Sequence, residues 1–317
     1  MPDDLRPRDI GAMPAQRALT PRSAAEARGR FFNTGNAFNI VNPPVPDHAF
    51  TDESRRALDD AAPTGLIACD LSVPLGCAFP ATTPLVLARY GRINAGETLT
   101  TNFVTSGTIA YVIKGTGVTV SGAEQIGWSE GDVFVLPGGI AASHTAETTA
   151  VLWLVTNEPQ LAFENLRAPG PGCAPTDLVH YRAGEIDRQI DLLYDVGRDA
   201  TIAGSALIFS AERQEATRNI LPTLTAAMNS LPAGYAQPPH RHNSVAVSLI
   251  IRGESCFSII DGRRKDWSPW ATTITPPVSV HSHHNDGTGQ ARFLIVQDGG
   301  IYYHARAMGF EFAEQPA

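Results

Sequence analysis

The stretch GYAQPPHRH at residues 234–242 places two histidines two positions apart, after a glycine and a loop that contains two prolines. Successive side chains of a strand point to opposite faces, so His240 and His242 of an extended segment project to the same face. Five of the nine histidines of the chain lie between positions 240 and 284. This pattern indicates two ligands of one metal ion, and a solvated histidine-rich edge is the alternative.

The framework around these histidines occurs twice in the chain. Its anchors are pairs of identical residues 138 or 139 positions apart: Gly96 and Gly234, Gly115 and Gly253, Trp128 and Trp267, Pro137 and Pro276. Around both sets, short runs of β-branched and aromatic residues alternate with glycine and proline, which is typical of strands joined by turns. The repeat therefore predicts two tandem β-barrels.

Composition excludes several classes of protein. The 317 residues are 43% hydrophobic and 18% charged, so the chain can bury hydrophobic cores and is not disordered. A net charge of −8 without a basic run argues against nucleic acid as a partner, and the absence of an 18-residue apolar run argues against a membrane span. Four cysteines without a CxxC pair, behind an acidic start unlike a signal peptide, predict reduced thiols in a cytoplasmic protein.

A third ligand must come from another part of the chain. The segment TPPVSVHSHHN at 275–285 holds His281, His283 and His284. With His281 the set becomes three neutral imidazoles, which leaves open positions on a metal for substrate, water or oxygen. His284 falls on the opposite face if this segment is extended, so we expect it at the surface.

These residues resemble the two motifs of the cupin superfamily, small β-barrels that hold a metal inside. The first motif, G(X)5HXH(X)3–4E(X)6G, is matched by Gly234, His240, His242 and Gly253, with Ala246 or Val247 where the glutamate belongs. The second motif, G(X)5PXG(X)2H(X)3N, is matched by Pro276, His281 and Asn285, whereas Trp270 and Val278 replace its two glycines.

The first copy keeps the glycine and proline frame of the motifs but no ligands. Its metal positions read Asn102, Val104, Thr108 and Ala142, so this barrel is expected to bind no metal. His144 stands where His283 stands in the other copy, and alone it is expected to be structural.

The resemblance implies an all-β fold of two tandem cupin (double-stranded β-helix, jelly-roll) barrels with an N-terminal extension and short helices. The expected parts are an N-terminal extension at 1–62 with a helix from Thr51 to Ala62, a metal-free barrel at 63–165, a linker at 166–221 and a metal-binding barrel at 222–317.

Without the motif glutamate, the chain is similar to gentisate and salicylate 1,2-dioxygenases. That resemblance implies an Fe(II)-dependent ring-cleaving dioxygenase of extradiol type, with a small aromatic acid and O2 as reactants and a homo-oligomer as the assembly. Fe(II) binds the substrate hydroxyl and carboxylate in that family, and the ring opens between the two substituted carbons. His283 resembles the family's second-sphere histidine, which hydrogen-bonds substrate or oxygen and can move a proton.

The expected substrate contacts depart from that family. Relatives place an arginine on the strand after HRH, and this chain has Ser248 at that place. A hydroxyl does not replace a bidentate guanidinium clamp. Arg252, which has the strand parity of His242 and Ser248, and Gln237, which precedes the ligands, are the other expected contacts.

Two other classes of function remain open at this stage. A β-diketone-cleaving oxygenase, an isomerase or a lyase can use the same three histidines, and a non-enzymatic bicupin can bind a small molecule there. Zinc, manganese and nickel are alternatives to iron.

Overall fold

The computed structural model describes residues 10–170, 172–197 and 204–313. The chain divides after Pro44 into a small unit and a large one that begins at Val45. In the small unit, a 3-10 turn, helix α1 and helix α2 occupy Ile10–Ala12, Ala24–Arg28 and Thr34–Ala37. The side chain of Asn33 caps α2 by accepting hydrogen bonds from two backbone N–H groups, those of Gly35 and Asn36.

The first half of the large unit contains ten strands and three short helices. Their bounds are β1 Ala49–Phe50, α3 Thr51–Leu58, β2 Gly65–Ala68, α4 Ser72–Leu75, β3 Leu87–Ile93, β4 Thr98–Thr101, β5 Gly107–Lys114, β6 Thr116–Ser121, β7 Glu124–Ser129, β8 Val133–Pro137, β9 Ala142–Ala146, β10 Ala150–Thr156 and α5 Glu158–Phe163. Helix α3 begins at the predicted residue and ends at Leu58 rather than Ala62.

The second half repeats this order. Its elements are β11 Val179–Tyr181, α6 Ala183–Val196, β12 Ser205–Phe209, a 3-10 turn Glu212–Gln214, β13 Thr225–Leu231, β14 Tyr235–Ala236, β15 His240–His242, β16 Ala246–Arg252, β17 Cys256–Ile260, β18 Arg263–Asp266, β19 Thr272–Thr275, β20 His281–Asn285, β21 Ala291–Gln297, α7 Gly299–Ala305 and β22 Phe310–Phe312. No helix within the described ranges is long and apolar enough to cross a membrane.

Four antiparallel sheets form two barrels, which confirms the predicted all-β fold. Barrel 1 joins a six-stranded sheet, β11-β8-β5-β10-β3-β2, to a four-stranded one, β4-β9-β6-β7. Barrel 2 joins a six-stranded sheet, β1-β19-β16-β21-β13-β12, to a second one, β18-β17-β20-β15-β22, in which β14 also pairs with β20.

The two halves exchange their first strands. Strand β1 precedes barrel 1 along the chain but pairs with β19 of barrel 2, with Phe50 opposite Thr272. Strand β11 precedes barrel 2 but pairs with β8 of barrel 1, with Tyr181 opposite Val133. The expected extension at 1–62 and linker at 166–221 thus each supply one edge strand to a barrel across the repeat. The part of that linker at 171 and 198–203 lies outside the described residues.

The largest hydrophobic core lies between the two six-stranded sheets. One face of β16 and β21 in barrel 2 packs with one face of β5 and β10 in barrel 1, through the buried side chains Val247, Leu249, Leu294, Val296, Ile109, Tyr111, Ile113, Val151, Trp153 and Val155. Because strand residues alternate, the intervening positions of the same strands face the inside of each barrel. Ile250 and Phe293 are two of these inward-facing residues, and they belong to a separate hydrophobic core inside barrel 2.

A buried hydrogen-bond group joins the barrels within the shared core. Tyr90 donates its hydroxyl to the Trp270 carbonyl at 2.6 Å, and its oxygen lies 2.8 Å from the Thr272 hydroxyl. The Thr272 oxygen also accepts the indole N–H of Trp153 at 2.9 Å. Since the single Tyr90 proton goes to Trp270, the Thr272 hydroxyl donates to Tyr90.

We expect Thr272→Val to destabilise the protein by about 2 kcal/mol, because it leaves the buried indole N–H of Trp153 without an acceptor. Thr272→Ser keeps the hydroxyl and is expected to cost about 1 kcal/mol or less, for the lost methyl group. Denaturant unfolding of the three proteins measures both values. Equal losses in the two variants would contradict a hydrogen-bonding role for Thr272.

Candidate metal centre

Three histidines from two neighbouring strands converge inside barrel 2. The ligand-capable ring atoms of His240, His242 and His281 all lie within 4.8 Å of one another. His240 and His242 share a face of β15, as their spacing predicts, and β20 brings His281 directly opposite His240 in the sheet. His240 and His281 are buried, and His242 is half-buried.

Each ring is oriented by the same local hydrogen bond. The Nδ1 atoms of His240, His242 and His281 lie 2.8, 2.8 and 2.9 Å from the carbonyl oxygens of Pro238, Ser244 and Ser279, respectively. A carbonyl only accepts, so each Nδ1 carries the proton and each Nε2 keeps a lone pair. Three neutral imidazoles with lone pairs on Nε2 form a donor set that fits a divalent transition metal.

Burial keeps these rings in the form that binds metal. It lowers the pKa of His281 to about 3, with smaller contributions from the nearby His240 and His242. Burial also lowers the pKa of both His240 and His242 below the usual value for histidine. The imidazoles are therefore neutral at neutral pH, with no proton for a metal to displace from Nε2.

His283 lies on the same face of β20 as His281, and a short relay holds its ring. Its Nδ1 is 2.8 Å from the Ser258 hydroxyl, and that oxygen accepts the indole N–H of Trp267 at 2.8 Å. With the indole as donor, the Ser258 hydroxyl proton is available to His283 Nδ1, which places the ring proton on Nε2. Within the described part of the chain, this Nε2–H has no hydrogen-bond acceptor.

Barrel 1 contains the same relay without the ligands. His144 Nδ1 lies 2.8 Å from the Thr119 hydroxyl, which accepts the Trp128 indole N–H at 2.9 Å. His144 Nε2 lies 3.1 Å from the Thr101 hydroxyl. Burial lowers the pKa of His144 to about 4, so it is a neutral interior residue, consistent with the structural role expected for it.

The strand register corrects one detail of the repeat. Thr101 lies opposite Ala142, as His240 lies opposite His281. Thr101, rather than the expected Asn102, is therefore the counterpart of His240. A local one-residue shift after the repeated glycine causes the difference, and the position still lacks an imidazole.

Two of the expected substrate contacts, Gln237 and Ser248, are buried polar side chains of barrel 2. Gln237 donates its backbone N–H to the His283 carbonyl at 2.8 Å, and its side-chain oxygen is buried without a partner in the described structure. Ser248 is buried on the inward face of β16. A buried amide oxygen without a partner is a natural acceptor for a ligand hydroxyl.

Arg252 is not brought to the histidines. A bulge between Ile250 and Arg252 breaks the alternation on which its expected placement depends, and its guanidinium donates to the Gln290 side-chain oxygen at 2.7 Å. A bulged residue turns the next side chain to a different face. Arg252 therefore does not share the inward face of Ser248.

The side chains that alternate with the ligands face outward. His284 stacks on Phe257 with ring centroids 4.6 Å apart, and Arg241 is paired with Glu311. The outward placement of His284 is as expected from its parity.

The residues that replace the two motif glycines have the backbone conformation that glycine favours. Trp270 and Val278 have φ values of 64° and 59°, the left-handed region that favours glycine. The Val278 N–H donates to the His242 carbonyl at 2.8 Å, so this strained turn ties the loop before His281 to the strand of His242.

Three contributors to the site escaped sequence reasoning. Ser258 lies on a separate strand with no motif around it, and Trp267 was visible only as an anchor of the repeat. The C-terminal strand β22 pairs with β15 and places the Phe310 ring 5.4 Å from that of His240. The alternating FEF at 310–312 is the one local signal that could have indicated this strand.

Comparison with known proteins agrees with this geometry. Residues 228–297 match the family model of the cupin domain. Barrel 2 is a cupin barrel. The chain is 31% identical over 133 residues to a 5-aminosalicylate 1,2-dioxygenase of Comamonas sp, a match covering 38% of this chain and 35% of the relative. A gentisate 1,2-dioxygenase of Ralstonia sp is 34% identical over 77 residues, a match covering 24% of this chain and 21% of the relative.

The cupin fold extends through both barrels. A salicylate 1,2-dioxygenase from Pseudaminobacter salicylatoxidans superimposes with a TM-score of 0.72 at 17% identity, covering 88% of this chain and 92% of that one. The similarity to solved structures thus spans the bicupin fold, whereas the curated relatives match over only about a fifth to two fifths of their own length.

Removal of the Ser258 hydroxyl is expected to abolish the preference of the His283 ring for one neutral tautomer. In the metal-free protein, Ser258→Ala should let the ring populate both neutral forms, so that the 15N chemical shifts of its two nitrogens move towards each other. Ser258→Thr should preserve the wild-type shifts, because a threonine occupies this place in barrel 1.

The matched control for this experiment is Thr119→Val, which removes the equivalent hydroxyl in barrel 1. It should change the resonances of His144 and leave those of His283 alone. Unchanged His283 shifts in Ser258→Ala would show that Ser258 does not set the tautomer.

Proposed function

We propose that this chain is a non-haem Fe(II) dioxygenase that cleaves the ring of a hydroxylated aromatic acid of the gentisate or salicylate type with O2. The proposal rests on three converging imidazoles inside a cupin barrel, each with its Nδ1 proton donated to a carbonyl and a lone pair on Nε2. This set has no anionic member, which matches the absence of the motif glutamate.

A neutral ligand set suits an anionic chelating substrate. Three imidazoles leave the double positive charge of the cation uncompensated, which favours a carboxylate with an adjacent hydroxyl. Fe(II) held there would supply adjacent positions for substrate and O2 and the redox capacity that ring cleavage needs. The 5-aminosalicylate and gentisate dioxygenases among the relatives are named for substrates of this type.

The residues of the chain would orient the substrate and hold a proton. His283, with Nε2–H as the free donor, would donate a hydrogen bond to an oxygen of the bound reactants and is the proposed catalytic proton carrier. The orphaned oxygen of Gln237 would accept a hydrogen bond from a substrate hydroxyl or amine, and Ser248 would contact the ring from the opposite sheet. The proposed bond to break joins the hydroxyl-bearing and carboxylate-bearing carbons.

The neutral surroundings favour one second candidate. Arg252 is engaged elsewhere, and the inward polar side chains Gln237, Ser248 and Gln297 carry no charge. A β-diketone-cleaving oxygenase needs no cation for a carboxylate, so the same site could act on a diketone. Identification of the product distinguishes the aromatic-acid dioxygenase from the diketone-cleaving oxygenase. It also shows whether ring cleavage is of the extradiol type.

Oxygen uptake by the Fe(II)-loaded protein tests the proposal. We expect uptake with one or more of gentisate, salicylate and their amino, halogenated or nitro forms, together with a new near-ultraviolet absorbance from the opened ring. Uptake with β-diketones alone would support the second candidate. Turnover without oxygen would indicate an isomerase or lyase, and no uptake with any compound would contradict a dioxygenase.

His240→Ala is expected to lower bound iron from one equivalent to a small fraction and to reduce activity by at least about 100-fold, because two imidazoles hold the cation poorly. Metal analysis and oxygen uptake measure the two effects. His284→Ala, on the same barrel but facing outward, is the control and should keep both. One equivalent of iron in His240→Ala would overturn the ligand assignment.

We also propose that the protein is cytoplasmic, as its cysteine pattern suggests, and a homo-oligomer, as its resemblance to the family implies. Mass measurement by light scattering tests the assembly.

A further inference from the structure

Gln297 ends strand β21 with its amide against the lone pair of a ligand histidine. Its Nε2 atom lies 3.2 Å from His242 Nε2. The other ring nitrogen of His242 carries the proton that is donated to the Ser244 carbonyl, so the Gln297 amide meets the nitrogen that faces the cluster. Without a cation, the amide N–H donates to this lone pair.

The separation of these atoms is that of two ligands on one metal. Donor atoms that each lie about 2.1 Å from a cation and subtend a right angle are about 3 Å apart. A cation at the His242 lone pair repels an N–H group and attracts a carbonyl oxygen. A half-turn of the terminal amide exchanges the two atoms without moving the rest of the side chain.

The sheet register places Gln297 beside Ala246, the position at which the motif glutamate is missing. Ala246 stands where the cupin motif has glutamate, and Gln297 is its cross-strand partner on β21. Cross-strand partners project from the same face of a sheet. The neighbouring strand thus directs a side-chain amide towards the space that the shorter Ala246 side chain leaves free.

We propose that the side-chain oxygen of Gln297 is a fourth, neutral ligand of the divalent cation in the substrate-free protein. The inference rests on the proposed three-histidine metal site. An amide oxygen is a suitable ligand for a divalent cation and leaves its charge uncompensated, unlike the carboxylate of the motif.

The fourth ligand is exchangeable. Three imidazoles, a bidentate substrate and O2 together fill six positions, so Gln297 must leave when the reactants bind. It also lines a cavity of about 1250 Å³ beside α7, together with Thr225, Ala227 and Ile301. This cavity gives the amide room to withdraw from the cation.

Co(II) binding to the metal-free protein tests the proposal in the absence of any substrate. Competition with a chromophoric chelator measures the affinity, and the visible absorption of the bound Co(II) reports the ligand number. We expect Gln297→Ala to weaken binding about tenfold and to change the absorption. Gln297→Glu is expected to tighten binding by a similar factor, because it adds a negative ligand.

Gln290→Ala is the matched control. This glutamine lies at the other end of β21, where its oxygen accepts hydrogen bonds from Arg252 and Arg292. It should leave Co(II) affinity and absorption unchanged. Thermal unfolding of the metal-free variants separates loss of metal from loss of fold.

The outcomes distinguish this proposal from the one on which it rests. Unchanged affinity and absorption in Gln297→Ala, with tight binding by the wild type, would overturn the role of Gln297 and leave the three-histidine site intact. Weaker binding in Gln297→Glu would also overturn it, since a carboxylate near the cation can only add attraction. Failure of the wild type to bind Co(II) or Fe(II) would instead remove the proposed function.

Discussion

The packing of the two six-stranded sheets against each other is the constraint on which the rest of the structure depends. It commits alternate residues of β16 and β21, such as Val247 and Leu294, to a core shared by both barrels. The remaining alternate positions are thereby directed into barrel 2, where Ser248 and Gln297 lie on the inward face of the sheet. The strand exchange of β1 and β11 joins the sheet edges as well, so neither six-stranded sheet is completed by its own half of the repeat.

Duplication separates what the barrel requires from what the chemistry requires. Both barrels keep a tryptophan, a hydroxyl and a histidine in one hydrogen-bonded chain, which satisfies three buried polar groups at once. In barrel 1 the free end of His144 reaches Thr101, and the group is complete. In barrel 2 the equivalent partner is the candidate ligand His240, so the same arrangement leaves His283 with a proton donor directed into the proposed site.

Local periodicity predicted the centre of the site but not its surroundings. His240, His242 and His281 could be assigned because the alternation of a short strand depends only on the residues themselves, and the motif spacing supplied the third ligand. Alternation along one strand did not predict the position of Arg252, because a bulge is a property of two paired strands. Thr101 rather than Asn102 as the counterpart of His240 is likewise a matter of register between strands.

The amino-acid sequence by itself determined the duplicated all-β architecture, the lack of imidazoles at the ligand positions of the first barrel and the three imidazoles of the second. These follow from residue types and spacings that are readable along one chain. Only the tertiary structure decided which nitrogen each imidazole presents, that Ser258 and Trp267 hold His283, and that Gln297 reaches His242. Those contacts join strands distant along the chain, and their geometry depends on sheet register, which pairing and packing determine together.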